Sequence, residues 1–212
     1  MHKLFGFAFL LISSFSFAQF KIDSLNGNVK FIKVYTVADT SKKAIYQKCK
    51  EWVAINFKDS NSVIKLDTKD KILVKGLFDI NYISNGYPIT SNVDFVMSVS
   101  FKDGRYKLQM DNFIIVNNVN GQIVKTPINN YNPSMSYEEY KERLLKQAEE
   151  QTDEFIKKAT YKILQNEKQL RKSYDETVEV SKNILGEVKT EIENTFVSLN
   201  NYVNKNSDDE DW

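Results

Sequence analysis

The sequence predicts an α+β protein in which an antiparallel sheet carries one amphipathic helix and is followed by a long helical region. Three observations predict it. Residues 29–126 are rich in β-branched and aromatic side chains, in places strictly alternating, and are punctuated by Asn-Gly and Asp-Gly pairs. Residues 44–57 space their apolar side chains at helical intervals. Residues 136–202 carry apolar stripes with no Pro and only Gly186.

The elements follow in chain order. Met1-His2-Lys3, a mostly apolar run from Leu4 to Phe17, and Ser16-Phe17-Ala18 before Gln19 have the layout of a signal peptide over residues 1–18. The run is too short for a stable membrane span. Residues 19–28 read as a polar lead-in ending in the turn signal Asn26-Gly27-Asn28. Val29 to Val37 reads as a strand. Asp39, Thr40 and Ser41 offer a helix N-cap, and Ile45, Cys49, Trp52, Val53 and Phe57 then fall on one helical face. Val63–Thr68 and Ile72–Tyr82 read as strands joined at Lys69-Asp70. A loop through Asn85-Gly86 and Pro88 leads to a strand at Val93–Phe101, and Asp103-Gly104 closes a hairpin into Arg105–Asn117. Asn120-Gly121 signals a further hairpin with a short strand at Gln122–Thr126. In the middle pair Ile72, Val74, Phe78 and Ile80 share a face, as do Phe95, Met97, Val99 and Phe101. The intervening residues are mostly polar, so one face of the sheet is expected to be covered and the other open.

This α+β unit of residues 29–130 is followed by helical sequence over 131–204 and an acidic tail at 205–212. Ser136 with Glu139 has capping-box spacing. Tyr140, Leu144, Ala148, Phe155, Ala159 and Ile163 then form a stripe, which predicts one helix running to about Leu170 with a break at Lys172–Tyr174. A second stretch carries Val178, Leu185, Val188, Ile192, Leu199 and Tyr202. The stripes allow three arrangements: folding back over the sheet, a coiled coil with another copy, or docking of a partner.

Charge and composition narrow the function classes. The chain has a formal net charge of +1, and cleavage after Ala18 would make it neutral. That balance hides sixteen Lys/Arg against ten Asp/Glu in residues 19–130, and twelve against eighteen in 131–212. Overall neutrality and export both argue against a nucleic-acid partner. The signal segment takes with it His2, the one histidine, so His-containing metal sites and Ser-His-Asp or Cys-His catalysis are not expected. No cofactor motif is present. Cys49 is the one cysteine, which leaves no intramolecular disulfide, and no lipid-bearing cysteine follows the signal segment. After that segment no apolar stretch is long enough to span a membrane. Periplasmic or secreted localisation is the expectation.

Tyr46, Trp52 and Phe57 on the first helix, Phe101-Lys102-Asp103-Gly104-Arg105-Tyr106 at the hairpin, and Asn112-Phe113 beyond it resemble a bacterial family of exported domains of unknown function with a TBP-like (TATA-binding-protein-like) fold. The resemblance covers Val29 to Val116. It implies a TBP-like antiparallel sheet in strand, helix, four strands, helix order, and an envelope location. It brings no functional residues, and fold alone gives no warrant for DNA binding.

The open face is the candidate site. It is expected to show Lys65, Lys71, Leu73, Lys75, Leu77, Val96, Lys102, Arg105 and Lys107, a basic surface with an apolar middle suited to an anionic or protein ligand. The expected function is a non-catalytic binding or assembly module of the cell envelope, with an envelope protein or a second copy as partner through the helical region. The alternative is a small hydrolase or isomerase using Asp79 and Asp94 on that face.

Overall fold

A computed structural model describes residues 19–23, 28–57, 60–84, 86–119 and 121–205. The expected signal segment, the expected turn at Asn26-Gly27 and residues 206–212 of the acidic tail lie outside them. The chain is α+β with a TBP-like fold. Among the described residues seven strands form one antiparallel sheet: β1 (Gln19–Asp23), β2 (Asn28–Thr36), β3 (Ile64–Asp67), β4 (Lys71–Ser84), β5 (Tyr87–Lys102), β6 (Arg105–Val119) and β7 (Gln122–Pro127). The spatial order is β1-β2-β6-β5-β4-β3, and β7 pairs with β6 on the same edge as β2. That sharing works because β2 takes residues 105–110 of β6 and β7 takes 114–119. Between them β6 bulges opposite Phe95, with Asn112 at φ 55°. Asn tolerates the left-handed region better than most side chains, and the bulge keeps Tyr106, Leu108 and Met110 on the same face as Phe113 and Ile115.

Two readings of the strands change. Gln19–Asp23 is not a free lead-in; it pairs with β2 as an edge strand. The expected loop through Pro88 is instead a two-residue connection, with Ser84 paired to Tyr87. Pro88 is tolerated there because β6 pairs with β5 only from Asn92 onward, so no neighbour on that side requires its missing N–H.

Helix α1 (Lys42–Asn56) starts where expected, with Ser41 Oγ accepting from Ala44 N, and buries Ile45, Cys49, Trp52 and Val53. A single turn, α2 (Ser60–Val63), follows. The helical region departs most from its reading. Instead of one helix from 136 to about 170, α3 (Tyr137–Glu150) and α4 (Glu154–Leu164) are separated by residues 151–153. Residues 165–166 then lead into α5 (Glu167–Asn204), which runs through the expected break at Lys172–Tyr174. Both stops are side-chain effects: Asp153 caps α4 by accepting from Phe155 N and Ile156 N, and Asn166 caps α5 by accepting from Gln169 N. Short polar side chains that bond the backbone can end a helix without Gly or Pro.

Helix α5 is 38 residues long, about 57 Å at 1.5 Å per residue, and its two halves have different work. Its second half lies on the sheet beside α1, burying Ile184, Val188, Ile192, Phe196, Leu199 and Val203 in the main core. Its first half meets α3 and α4 in a second, smaller core of Met135, Tyr140 and Leu170, backed by Tyr137, Leu144, Ile163, Leu164 and Tyr174. Phe155, expected in the buried stripe, is 81% exposed. The helical region therefore folds back on the sheet through the second half of α5 and builds a small core of its own around the first. No described helix is long and apolar enough to cross a membrane.

Candidate functional site

Antiparallel pairing sends alternate residues of β4, β5 and β6 to opposite faces. The face carrying Ile72, Val74, Val93, Met97, Val99 and Leu108 is wholly buried under α1 and α5. The other face presents the candidate residues, and the structure sorts them into two groups.

The first group lines a cleft of about 850 Å³ beside the β6 bulge. Lys65, Lys75, Leu77 and Val96 meet there, joined by Phe57, Val63, Asp94, Phe95, Asn112, Ile114 and Lys125. Leu77 is 62% exposed, a large apolar side chain among cations. Lys65 donates to the backbone carbonyl of Ser62, and Lys125 lies 3.7 Å from Asp94. Ile114 and Lys125 were not singled out from sequence, and Asn112 was noted only for the family resemblance, not as a site residue. They arrive through the bulge and the β6–β7 pairing, and Asn120-Gly121 was the only sequence signal that β7 would lie there.

The second group is a basic corner at the β5–β6 hairpin end. Lys71 and Lys107 flank Ser100 across three strands, and Lys102 faces Arg105. Leu73 sits between the two groups, half-buried. The acidic side chains of the neighbouring turns point elsewhere: Asp70 pairs with Lys42 Nζ, and Asp103 Oδ1 accepts from Lys42 N at 2.7 Å, both on the helix side. The corner thus keeps its positive charge.

The carboxylates of the hydrolytic alternative are diagonal neighbours on the open face, Asp79 opposite Asn92 and Asp94 opposite Leu77, in different settings. Asp94 lines the cleft, whereas Asp79 is exposed, accepts from Asn92 Nδ2 on the paired strand, and does not line it. A general acid and base must converge on one reacting atom.

Other titratable clusters join the elements to one another. Tyr46 OH donates to Asp67 Oδ1 at 2.7 Å and Lys50 Nζ lies 2.7 Å from Asp67 Oδ2, tying α1 to β3. The hydrogen bond from Lys50, then that from Tyr46, holds the Asp67 carboxyl below its usual value, and the Asp67 partner raises Tyr46. Cys49 is wholly buried, and desolvation pushes its thiol up to about 12, away from the reactive thiolate. Among the described residues no three His, Cys, Asp or Glu side chains converge as metal ligands.

A second cleft, about 580 Å³, separates the β4–β5 tip from the helical lobe and is lined by Ser84, Tyr131, Tyr140, Arg143, Ser173 and Glu176 among others. Its polar groups are largely spent: Arg143 donates to Asn130 O at 2.9 Å, and the hydroxyls of Tyr140 and Ser173 are 2.6 Å apart.

Residues 31–115 match the model of a domain of unknown function (DUF4468) with TBP-like fold. Among solved structures the chain is similar to a TBP-like protein from Parabacteroides distasonis, at 11% identity and TM-score 0.54, over 84% of this chain and 94% of that one. It is also similar to a DUF4468 family protein from Bacteroides ovatus, at 17% identity and TM-score 0.41, over 51% of this chain and 66% of that one. Curated proteins give no match. The first likeness concerns fold alone. Because it covers 84% of the chain, it extends beyond residues 31–115 into the helical region.

Proposed function

We propose that this chain, a TBP-like domain with a helical lobe, is an exported, non-catalytic binding or assembly module of a bacterial cell envelope that works through its open sheet face. The observation that carries the reading is Leu77, 62% exposed in a cleft rimmed by Lys65, Lys75 and Lys125. A solvated sheet face needs no large apolar side chain at its centre, whereas a docking surface gains from each one it buries, at about 25 cal/mol per Å². Leu66 and Val34, 42% and 45% exposed on the same sheet, extend the apolar character beyond the cleft. The charged start, apolar run and small-x-small site of residues 1–18 support export.

The test is affinity isolation of the full chain, expressed with residues 1–18, from the native envelope, beside the variant Leu77→Asp/Lys75→Glu. The expected result is a chain beginning at Gln19 whose partner is retained by the wild type and lost by the variant. Identical capture by both, or no partner for either, would overturn the binding reading; an uncleaved cytoplasmic chain would overturn export.

A further inference from the structure

We infer that the outer edge of β4 over Leu77–Ile83 takes up an extended segment of a partner protein as an added antiparallel strand. The segment carries apolar residues opposite Leu77 and Ile83, a basic residue between them and a carboxylate toward its C-terminal side. The inference rests on the binding reading above and names how the partner is held.

The backbone decides which groups are on offer. Thr68 N donates to Lys71 O at 3.0 Å and Lys71 N to Thr68 O at 3.3 Å, so Lys71 turns its N–H and C=O toward β3. Asp70 O accepts from Phe101 N at 3.0 Å and so faces β5. Because β4 pairs with β5 without a register shift from Lys71 to Ser84, this alternation carries along the strand. Leu77, Asp79, Asn81 and Ile83 therefore aim their N–H and C=O groups away from β5. On that side β3 reaches only as far as Val74, and α2, just before it in the chain, touches β4 as well. Beyond them, no described residue bonds to the outward groups. Four successive outward-facing residues are thus left with unpaired backbone donors and acceptors, the template on which a strand adds.

Sheet edges are ordinarily guarded by Pro, a bulge, charges or a covering element. In this sheet β3 is short and irregular, and β7 ends at Pro127. The stretch Leu77–Ser84 has neither Pro nor bulge, and Asp79 is its one charge. Its large apolar side chains Leu77 and Ile83 are 62% and 59% exposed.

The side chains choose the occupant. Leu77 and Ile83 gain from apolar residues directly opposite, and Asp79 between them from a basic one. In antiparallel register the C-terminal side of the segment then arrives at the cleft, where Lys65 and Lys75 answer a carboxylate. A second copy fits poorly. Adding its own β4 in antiparallel register would set both helix layers on the same face of the joined sheet. Helix α5 lies over β4, so two such helices would stand about 4.8 Å apart, where packed helices need about 8–10 Å. A lone extended segment brings no helix.

Amide hydrogen exchange of the full chain, with the peptide Val-Ser-Thr-Ala-Lys-Thr-Val-Ser-Glu as probe, tests this. In the free chain the amides of Leu77, Asp79, Asn81 and Ile83 should exchange quickly, and those of Phe78, Ile80 and Tyr82 slowly. The peptide should slow the first set about tenfold or more. N-methylation of its third, fifth and seventh residues, which face Asn81, Asp79 and Leu77, should abolish binding; N-methylation of the second, fourth and sixth should not. Asn81→Pro removes an outward N–H but no backbone bond to β5, so it should keep the fold and lose the peptide. If that variant unfolds, the two methylated peptides on the wild type decide. Asp79→Lys should weaken binding several-fold, and Glu in place of the peptide's Lys should restore it. Slow exchange of the four outward amides in the free chain, their protection by self-association alone, no protection by the peptide, or equal binding of both methylated peptides would overturn the inference. A native partner lost from Leu77→Asp/Lys75→Glu but kept by Asn81→Pro would remove strand addition and leave the open-face reading standing.

Discussion

Gly76 and Phe95 face each other across β4 and β5, and the ring of Phe95 lies over the glycine. A β-carbon on Gly76 would stand 2.5 Å from Phe95 Cζ and 2.7 Å from Phe57 Cε1. The glycine makes room for an aromatic group in which Phe95 stacks on Phe78 at 5.3 Å and contacts Phe57, which in turn meets Trp52 edge-on at 6.1 Å. This group closes the end of the core beneath the open-face cleft.

Gly76→Ala should accordingly destabilise the fold by about 1–3 kcal/mol, the usual cost of overpacking a filled core. Gly76→Ala with Phe95→Leu should recover part of the loss relative to Phe95→Leu alone. Urea midpoints of the four proteins measure the coupling; simple additivity would remove the steric account.

Gly186→Ala should do the opposite. Gly186 is an exposed interior residue of α5, and a Cβ there meets nothing within 4 Å. Replacing a mid-helix glycine in open space stabilises by about 0.5–1 kcal/mol, through propensity and a less flexible unfolded chain. A lowered melting temperature would contradict the exposed position.

The two cores predict unequal tolerance in the helical lobe. Phe155→Ser should change stability by less than about 0.5 kcal/mol, because Phe155 is 81% exposed. Leu170→Ala, at a wholly buried residue among Met135 and Tyr140, should cost about 2–5 kcal/mol. Thermal unfolding of both variants distinguishes the observed packing from a continuous buried stripe.

Removing residues 136–212 should unfold the sheet as well, because Ile184, Val188, Ile192, Phe196, Leu199 and Val203 belong to its core. Loss of amide dispersion in an NMR spectrum would show it; a well-dispersed spectrum would mean that the sheet stands without α5. Partner mapping therefore needs surface variants rather than truncation.

Stability should fall at alkaline pH. In the unfolded chain Cys49 loses its proton near pH ~8.5 and Tyr35 near ~10, whereas burial pushes both up to about 12 in the fold. Across that window the unfolded state binds fewer protons than the native state, so stability declines as pH rises and is greatest below about pH 8. Denaturant midpoints from pH 7 to 11 report the slope, and Cys49→Ala should lack its first part. Native Cys49 should resist a thiol reagent that labels it at once in urea; fast native labelling would show that it is not buried.

Local sequence made the strands, the first helix and the ends of several turns legible. Alternation placed Ile72, Val74, Phe95 and Met97 on one face, Ser41 and Ser136 announced their caps, and Asp103-Gly104 announced its hairpin. Alternation also put Lys71, Leu73, Lys75 and Leu77 of β4 opposite that face, whereas Lys65 lies at an irregularity of β3 where period two breaks. For the carboxylates, alternation gave Asp79 and Asp94 the same face, but only the register of β4 against β5 made them diagonal neighbours and only the tertiary structure put Asp94 in the cleft.

What the sequence by itself determined is the set of faces: which side chains look into the sheet's core and which look away, because that depends on neighbours two to four residues apart. Tertiary structure alone decided where the helices stop and what they cover. The stops at 151–153 and 165–166 depend on whether Asp153 and Asn166 turn to the backbone, a choice settled by whether Leu170 and Tyr140 meet in a separate core. It also divided one basic face into a cleft and a corner. The bulge at Asn112 and the recruitment of Asp70 and Asp103 by Lys42 join residues far apart in the chain, and short-range periodicity carries no information about such contacts.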